Sequence, residues 1–110
     1  MANREVALEF LSRFCQGDIE SLAPLLTEDL RVSGPLFEGS SRREYLDRLR
    51  LDPPERSGFA VLSVTEAADN VSILYDYERL DRTLRVAQLF KFAAGRICEL
   101  VLVFDTGAFE

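Results

Sequence analysis

Apolar residues recur every three to four positions in the first half of this chain and every second position in the last half, so the order of elements is helices first and strands after. Val6, Ala7, Phe10, Leu11 and Phe14 fall on one helical stripe, with Arg4, Glu5, Glu9 and Arg13 off it; Asn3 is placed to cap this helix and Gly17 to sit just past its end. Asp18 is placed to cap a short second helix carrying Ile19, Leu22, Leu25 and Leu26. Pro24 should kink or break it, because beyond the first turn proline removes a backbone donor. Leu30 to Ser33 reads as a short strand, which Gly34-Pro35 turns toward Leu36-Phe37. After a loop at Glu38-Gly39-Ser40, Ser41-Arg42-Arg43-Glu44 has the spacing of a capping box. It opens a third helix with Tyr45, Leu46 and Leu49 inward and Glu44 and Arg48 spaced as a surface ion pair. Asp52-Pro53-Pro54 stops that helix.

From Gly58 the period becomes two. Strands are expected over Phe59 to Glu66, Val71 to Arg79, Leu84 to Ala93 and Ile97 to Asp105, with turns at Asp69-Asn70, Leu80-Asp81-Arg82 and Ala94-Gly95-Arg96. In the third of these strands Leu84, Val86, Gln88, Phe90 and Phe92 share one face. In the last, Cys98, Leu100, Leu102 and Phe104 are expected to oppose Ile97, Glu99, Val101, Val103 and Asp105. Neither face of that last strand is polar throughout, so the sheet should be covered on both sides at its centre. Strands of about ten residues span about 33 Å, long enough to curl over a helix. The class is therefore α+β, one domain over residues 1–110, with the helices on one face of an antiparallel meander and a concavity between them that suits a small molecule.

Composition narrows the chemistry. The net charge of −6 opposes nonspecific attraction to nucleic acid or to an anionic membrane. No apolar run is long enough to span a bilayer and the N-terminus lacks a signal-peptide pattern, so a cytoplasmic location is expected. With no histidine in the chain, the most usual general base and the commonest metal ligand are both missing. Cys15 and Cys98 lack metal-type or CxxC spacing and are expected to be small core residues. No metal and no cofactor is expected.

Gln88 stands out as a polar side chain on an otherwise apolar strand face, and a buried amide must find a partner. That partner is either a ligand's carbonyl or hydroxyl, or a tyrosine, a backbone group or a water. Tyr45, Tyr75 and Tyr77 join an apolar ring to a hydroxyl, and with Phe10, Phe14 and Phe37 they fit a pocket wall as well as they fit an ordinary core. The expected ligand-binding set is Phe10, Phe14, Phe37, Tyr45, Tyr75, Gln88, Leu102 and Phe104. Arg42, Arg43, Arg48 and Arg50 read as a solvated helix face. Glu99 and Asp105 belong on the outer face of the sheet, where Val101 and Val103 need cover.

Phe10 to Phe14 leading into Gln16-Gly17-Asp18-Ile19, Leu25-Leu26-Thr27-Glu28-Asp29-Leu30, Phe37-Glu38-Gly39 before a capped helix, and Phe90-Lys91-Phe92-Ala93-Ala94-Gly95-Arg96-Ile97 ending in Phe104-Asp105 together span nearly the whole chain. On these segments the chain resembles the nuclear-transport-factor-2-like superfamily and, within it, the small SnoaL-like proteins. The resemblance implies a cone-shaped, cystatin-like fold with three N-terminal helices packed on a curved, mostly antiparallel sheet, a pocket between the two, and a homodimer made through the outer face of the sheet. It also tests the family's known chemistries. Ketosteroid isomerases hold an oxyanion with a tyrosine and a protonated carboxylic acid and move the proton with an aspartate; the matching positions here are Phe10, Gln88 and Gly34, of which only Gln88 keeps a donor. Limonene epoxide hydrolases need an aspartate on the last strand, where this chain has Leu102. SnoaL-type cyclases use a pocket aspartate, for which Asp76 is the available candidate, although alternation sets it opposite Ile73, Tyr75 and Tyr77. The functional expectation is thus a container for a small apolar molecule. An isomerase, cyclase or hydrolase using Tyr75, Asp76 and Gln88 through an ordered water is the alternative, and a dimeric interaction module is a further one.

Overall fold

The computed structural model describes residues 1–109 and lays the helices against one face of a curved six-stranded sheet. Helix α1 (Asn3–Cys15) buries Val6, Ala7, Phe10 and Leu11 of the stripe its spacing predicts, together with Cys15, while Phe14 is half-buried. Its cap is Ala2 rather than Asn3. Alanine offers no side-chain acceptor, and the Glu5 carboxylate instead reaches back to accept from the Ala2 N–H at 3.2 Å. Gly17, just past the helix, has φ +75°, a left-handed conformation that costs glycine nothing.

The second helix is a 3-10 helix (Ile19–Leu25) that contains Pro24 and ends one residue later. Leu26, expected in that helix, begins strand β1 (Leu26–Ser33), which is longer than the short strand expected from Leu30. The Gly34 N–H donates to Phe37 O at 3.1 Å and closes a turn. Glu38 and Gly39 then pair with Ser33 and Val32 as a two-residue strand β2 where a loop was expected.

Helix α2 (Arg42–Leu51) starts as its capping box predicts, with Ser41 Oγ accepting from the Glu44 N–H at 3.0 Å. The ion pairs differ from expectation: Asp47 meets Arg50 at 2.7 Å and Arg43 at 3.8 Å, and among the described residues Glu44 and Arg48 form no pair. Nor is the basic face simply solvated. Arg42 Nη1 donates to the carbonyls of Ala23 (3.4 Å) and Leu26 (3.2 Å), and Arg50 grips both oxygens of Glu20 at 2.8 Å. Two arginines therefore tie α2 to the 3-10 helix and to the start of β1.

Strands β3 (Gly58–Ala67), β4 (Asn70–Glu78), β5 (Thr83–Ala93) and β6 (Arg96–Val103) form the meander, and the sheet order is β2-β1-β6-β5-β4-β3. Every neighbouring pair is antiparallel except β1 with β6, which runs parallel. In β6 the expected alternation fails at its first step. Phe92 pairs with Ile97 but Lys91 pairs with Glu99, so Cys98 is an extra, bulged residue. Ile97 consequently turns inward and is fully buried, while Cys98 is half-exposed rather than part of the core. From Leu100 onward the phase is the one expected, and Asp105 lies past the end of the strand, accepting from the Gly107 N–H at 2.9 Å. Further irregularities fall in the β3–β4 pairing between Val61 and Ser63 and in the β1–β6 pairing between Leu26 and Arg31. The core joins α1 to the sheet through Phe10, whose ring meets Phe90 edge-on at 5.8 Å and lies near Phe14 at 6.1 Å. No helix among the described residues is long and apolar enough to cross a membrane.

Candidate functional site

A cavity of about 410 Å³ opens between the helices and the concave face of the sheet. Cross-strand pairing orders its walls. Gln88 on β5 stands opposite Ile73 and Leu102, Val86 opposite Tyr75, and Leu84 opposite Tyr77. Residues on one face of paired strands step along the sheet in twos, so β5 presents Gln88, Val86 and Leu84 in succession while β4 presents Tyr75 and Tyr77, with Arg79 lining the cavity just past its end. The gradient runs from buried to solvated: Gln88 and Tyr75 are 3% and 4% exposed, whereas Tyr77 and Arg79 are half-buried.

Phe10, Phe14, Phe37, Tyr45, Tyr75, Gln88, Leu102 and Phe104, the expected ligand-binding set, all line this one cavity. Asp76 does not. It points to the opposite face of β4, where Arg85 holds both carboxylate oxygens at 2.9 and 3.2 Å and keeps the carboxyl below its ordinary pKa, chiefly through these hydrogen bonds. The candidate trio Tyr75, Asp76 and Gln88 is therefore split by strand alternation, and a water-activating role for Asp76 in the cavity is lost with it.

The deep end is organised by one contact. Tyr75 Oη donates to Gln88 Oε1 at 2.6 Å, a distance that suits O–H···O and is shorter than an N–H···O bond, so the amide is turned with its oxygen toward the tyrosine. Its NH₂ group makes no hydrogen bond among the described residues and is not sealed from the cavity. Burial raises the Tyr75 and Tyr45 hydroxyls well above the ordinary tyrosine pKa, and Cys15, Tyr45 and Tyr77 around Tyr75 push it in the same direction. Both phenols are thus neutral donors, unsuited to giving up a proton near neutral pH.

The mouth was not legible in advance. Arg48 and Asp52 lie one turn apart on the stripe that starts at Tyr45, and Pro53, Pro54 and Glu55 continue it in the loop after α2. That loop is pinned by the Ser57 N–H, which donates to Cys15 O at 2.9 Å. The helical spacing from Tyr45 and the strand spacing from Tyr77 to Arg79 were available as signals. Charge at those positions reads as ordinary surface, however, until the elements meet. The carboxylates among the lining residues, Asp52 and Glu55, are both exposed. Charged groups therefore ring the entrance, and the interior holds aromatic walls with a single amide.

No protein-family model matches the sequence, and no curated protein matches it. Solved structures do match in shape. An NTF2-like protein of unknown function from Cytophaga hutchinsonii superposes with a TM-score of 0.84 at 21% identity, over 100% of this chain and 96% of that one. A protein from Shewanella putrefaciens, provisionally named a SnoaL-like polyketide cyclase, gives 0.83 at 12% identity, over 99% and 83%. A de novo designed protein with a curved β-sheet gives 0.82 at 18% identity, over 96% and 86%. That natural and designed chains share this shape at such low identity means that the likeness carries the architecture and no activity. This chain has the nuclear-transport-factor-2-like fold of the SnoaL-like proteins.

Proposed function

We propose that the protein binds a small, mostly apolar molecule in the cavity between helices and sheet, with Gln88 as its hydrogen-bonding anchor. One observation carries this reading: an amide 3% exposed, lining an aromatic cavity, whose NH₂ makes no hydrogen bond among the described residues. The amide is held in place by its bond to Tyr75, so a ligand acceptor that meets its NH₂ gains from a donor already positioned. The cavity lies within the size range of small-molecule sites. Binding without turnover is favoured over an enzymatic role because, among the described residues, the buried end offers neutral donors and no carboxylate. The test is nuclear magnetic resonance of the ¹⁵N-labelled protein against a library of uncharged aromatic fragments. The expected result is a saturable shift of the Gln88 side-chain NH₂ signal together with those of Tyr75 and Leu102. Library-wide failure to move the Gln88 signal at millimolar fragment would overturn the reading.

A second reading concerns the other side of the sheet. Leu74, Leu89, Val101 and Val103 form an apolar strip there, with Val103 63% exposed, flanked by the Asp76–Arg85 and Lys91–Glu99 pairs. We infer that a second copy of the chain covers it, as exposed apolar surface of this kind needs cover. Light scattering is expected to show a dimer that Leu89→Glu dissociates; a wild-type monomer at high concentration would refute it.

A further inference from the structure

We propose that Tyr75 fixes the polarity of the Gln88 amide, so that the cavity selects ligands whose buried polar group is an uncharged hydrogen-bond acceptor, such as a ketone, ester or amide carbonyl, and rejects ligands that present only a donor. The inference rests on the binding reading above and adds the chemical class of the ligand.

A glutamine side chain is ambivalent by itself, because its carbonyl accepts and its NH₂ donates, and rotation by half a turn about the last bond exchanges them. Here the two orientations are unequal. The tyrosine hydroxyl gives its one proton to Oε1 at 2.6 Å; the turned amide would have to draw back by a few tenths of an ångström to donate to the hydroxyl, and the hydroxyl proton would then need another acceptor. The ring that carries the hydroxyl is itself held, buried against Phe59 edge-on at 6.4 Å. Donation into Oε1 also polarises the amide and strengthens its N–H groups as donors. The cavity therefore sees two N–H bonds at its deep end.

The ligand's charge follows from what is absent there. A carboxylate seated on Gln88 would be an anion stripped of water beside no buried cation among the described residues: the cationic lining residues are Arg48, which is exposed, and Arg79, which lies past the end of β4. An ammonium would face N–H groups. An uncharged acceptor suffers neither penalty. Tyr45 is the other buried hydroxyl on the lining, and it can serve as donor or acceptor, so discrimination falls to Gln88. Tyr75 acts here through Gln88 and is a positioning residue.

Three bicyclic probes of nearly equal shape separate the possibilities: 1-indanone, which only accepts; indole, whose N–H only donates; and indane, which does neither. Affinities are read from titration of the Leu102 signals in the wild type, Tyr75→Phe and Gln88→Met, with the Gln88 NH₂ signals as a second reporter in the first two. The wild type is expected to prefer 1-indanone over indole by about tenfold or more, with indane between, as follows from matching rather than stranding one buried donor. Tyr75→Phe should lower that ratio by at least about threefold while indane affinity changes little, because the freed amide can offer either end. Gln88→Met should bring the ratio close to one. Since a merely structural tyrosine would weaken all three probes together, the ratio separates positioning from packing. Equal binding of 1-indanone and indole to the wild type, or an unchanged ratio in Tyr75→Phe, overturns the inference and leaves the binding reading standing. If no probe moves the signals, the inference falls together with the binding reading.

Discussion

The Tyr75–Gln88 pair lends itself to a double-mutant cycle, because its two groups are buried together and meet in one hydrogen bond of 2.6 Å. Tyr75→Phe leaves Gln88 Oε1 without a donor. Gln88→Leu leaves the Tyr75 hydroxyl without an acceptor among apolar neighbours. Stranding a buried polar group costs about 1–3 kcal/mol, and because water can reach the cavity side of the pair, the lower half of that range applies, about 1–2 kcal/mol for each single variant. In a domain of this size that is a loss of about 4–8 °C in Tm. The double variant strands nothing: phenylalanine and leucine keep the volumes and meet as apolar neighbours, so its stability should return to within about 0.5 kcal/mol of wild type. The coupling is then about 1.5–3.5 kcal/mol, measured as urea-unfolding free energies with unchanged slopes. The double variant should therefore be folded and stable, yet blind to the 1-indanone acceptor. Additive single effects, with no coupling beyond about 0.5 kcal/mol, would refute the bond as described and the polarity argument built on it.

Other expectations can be checked with the same material. Arg42→Ala removes the bonds to the Ala23 and Leu26 carbonyls and should lower urea-unfolding stability by about 1–2 kcal/mol, whereas Arg43→Ala, whose contact with Asp47 is 3.8 Å at an exposed site, should change it by less than about 0.5. Equal effects would remove the stapling role given to Arg42. Gly39→Ala puts a methyl group 2.8 Å from two ring carbons of Phe37, so the ring must move; probe affinity should change several-fold with little loss of stability, although Gly39 itself does not line the cavity. Unaltered Phe37 signals in that variant would show that the contact is not made. Ultraviolet titration should find Tyr45 and Tyr75 still protonated when ordinary tyrosines have ionised near pH 10. The unfolded chain ionises them there and the folded one does not, so their contribution is complete below about pH 10 and is lost as pH rises from it toward the higher folded values. Full phenolate absorbance reached near pH 10, before unfolding, would contradict their burial.

Much of the architecture was legible because it depends on neighbours in sequence. The stripe in α1, the Ser41–Glu44 cap, the stop at Asp52-Pro53-Pro54 and the alternation of β5 are local, decided within one or two turns or a pleat, and they placed Phe10, Phe14, Tyr45, Tyr75 and Gln88 on inward faces. The alternation of β4 put Asp76 outside. Three other features belong to the tertiary structure. The bulge at Cys98 exchanged Ile97 and Cys98 between faces; nothing in Arg-Ile-Cys-Glu announces it, because a bulge answers to the pairing of β6 with β5 across a curved sheet. Leu26 became a strand residue because it pairs with Ile97, some seventy positions away in the chain. And the turn of the Gln88 amide, on which the character of the cavity depends, was decided by one hydroxyl on the neighbouring strand at 2.6 Å. Periodicity reports which way a side chain points, while the partner it meets there depends on registers that only the assembled sheet determines.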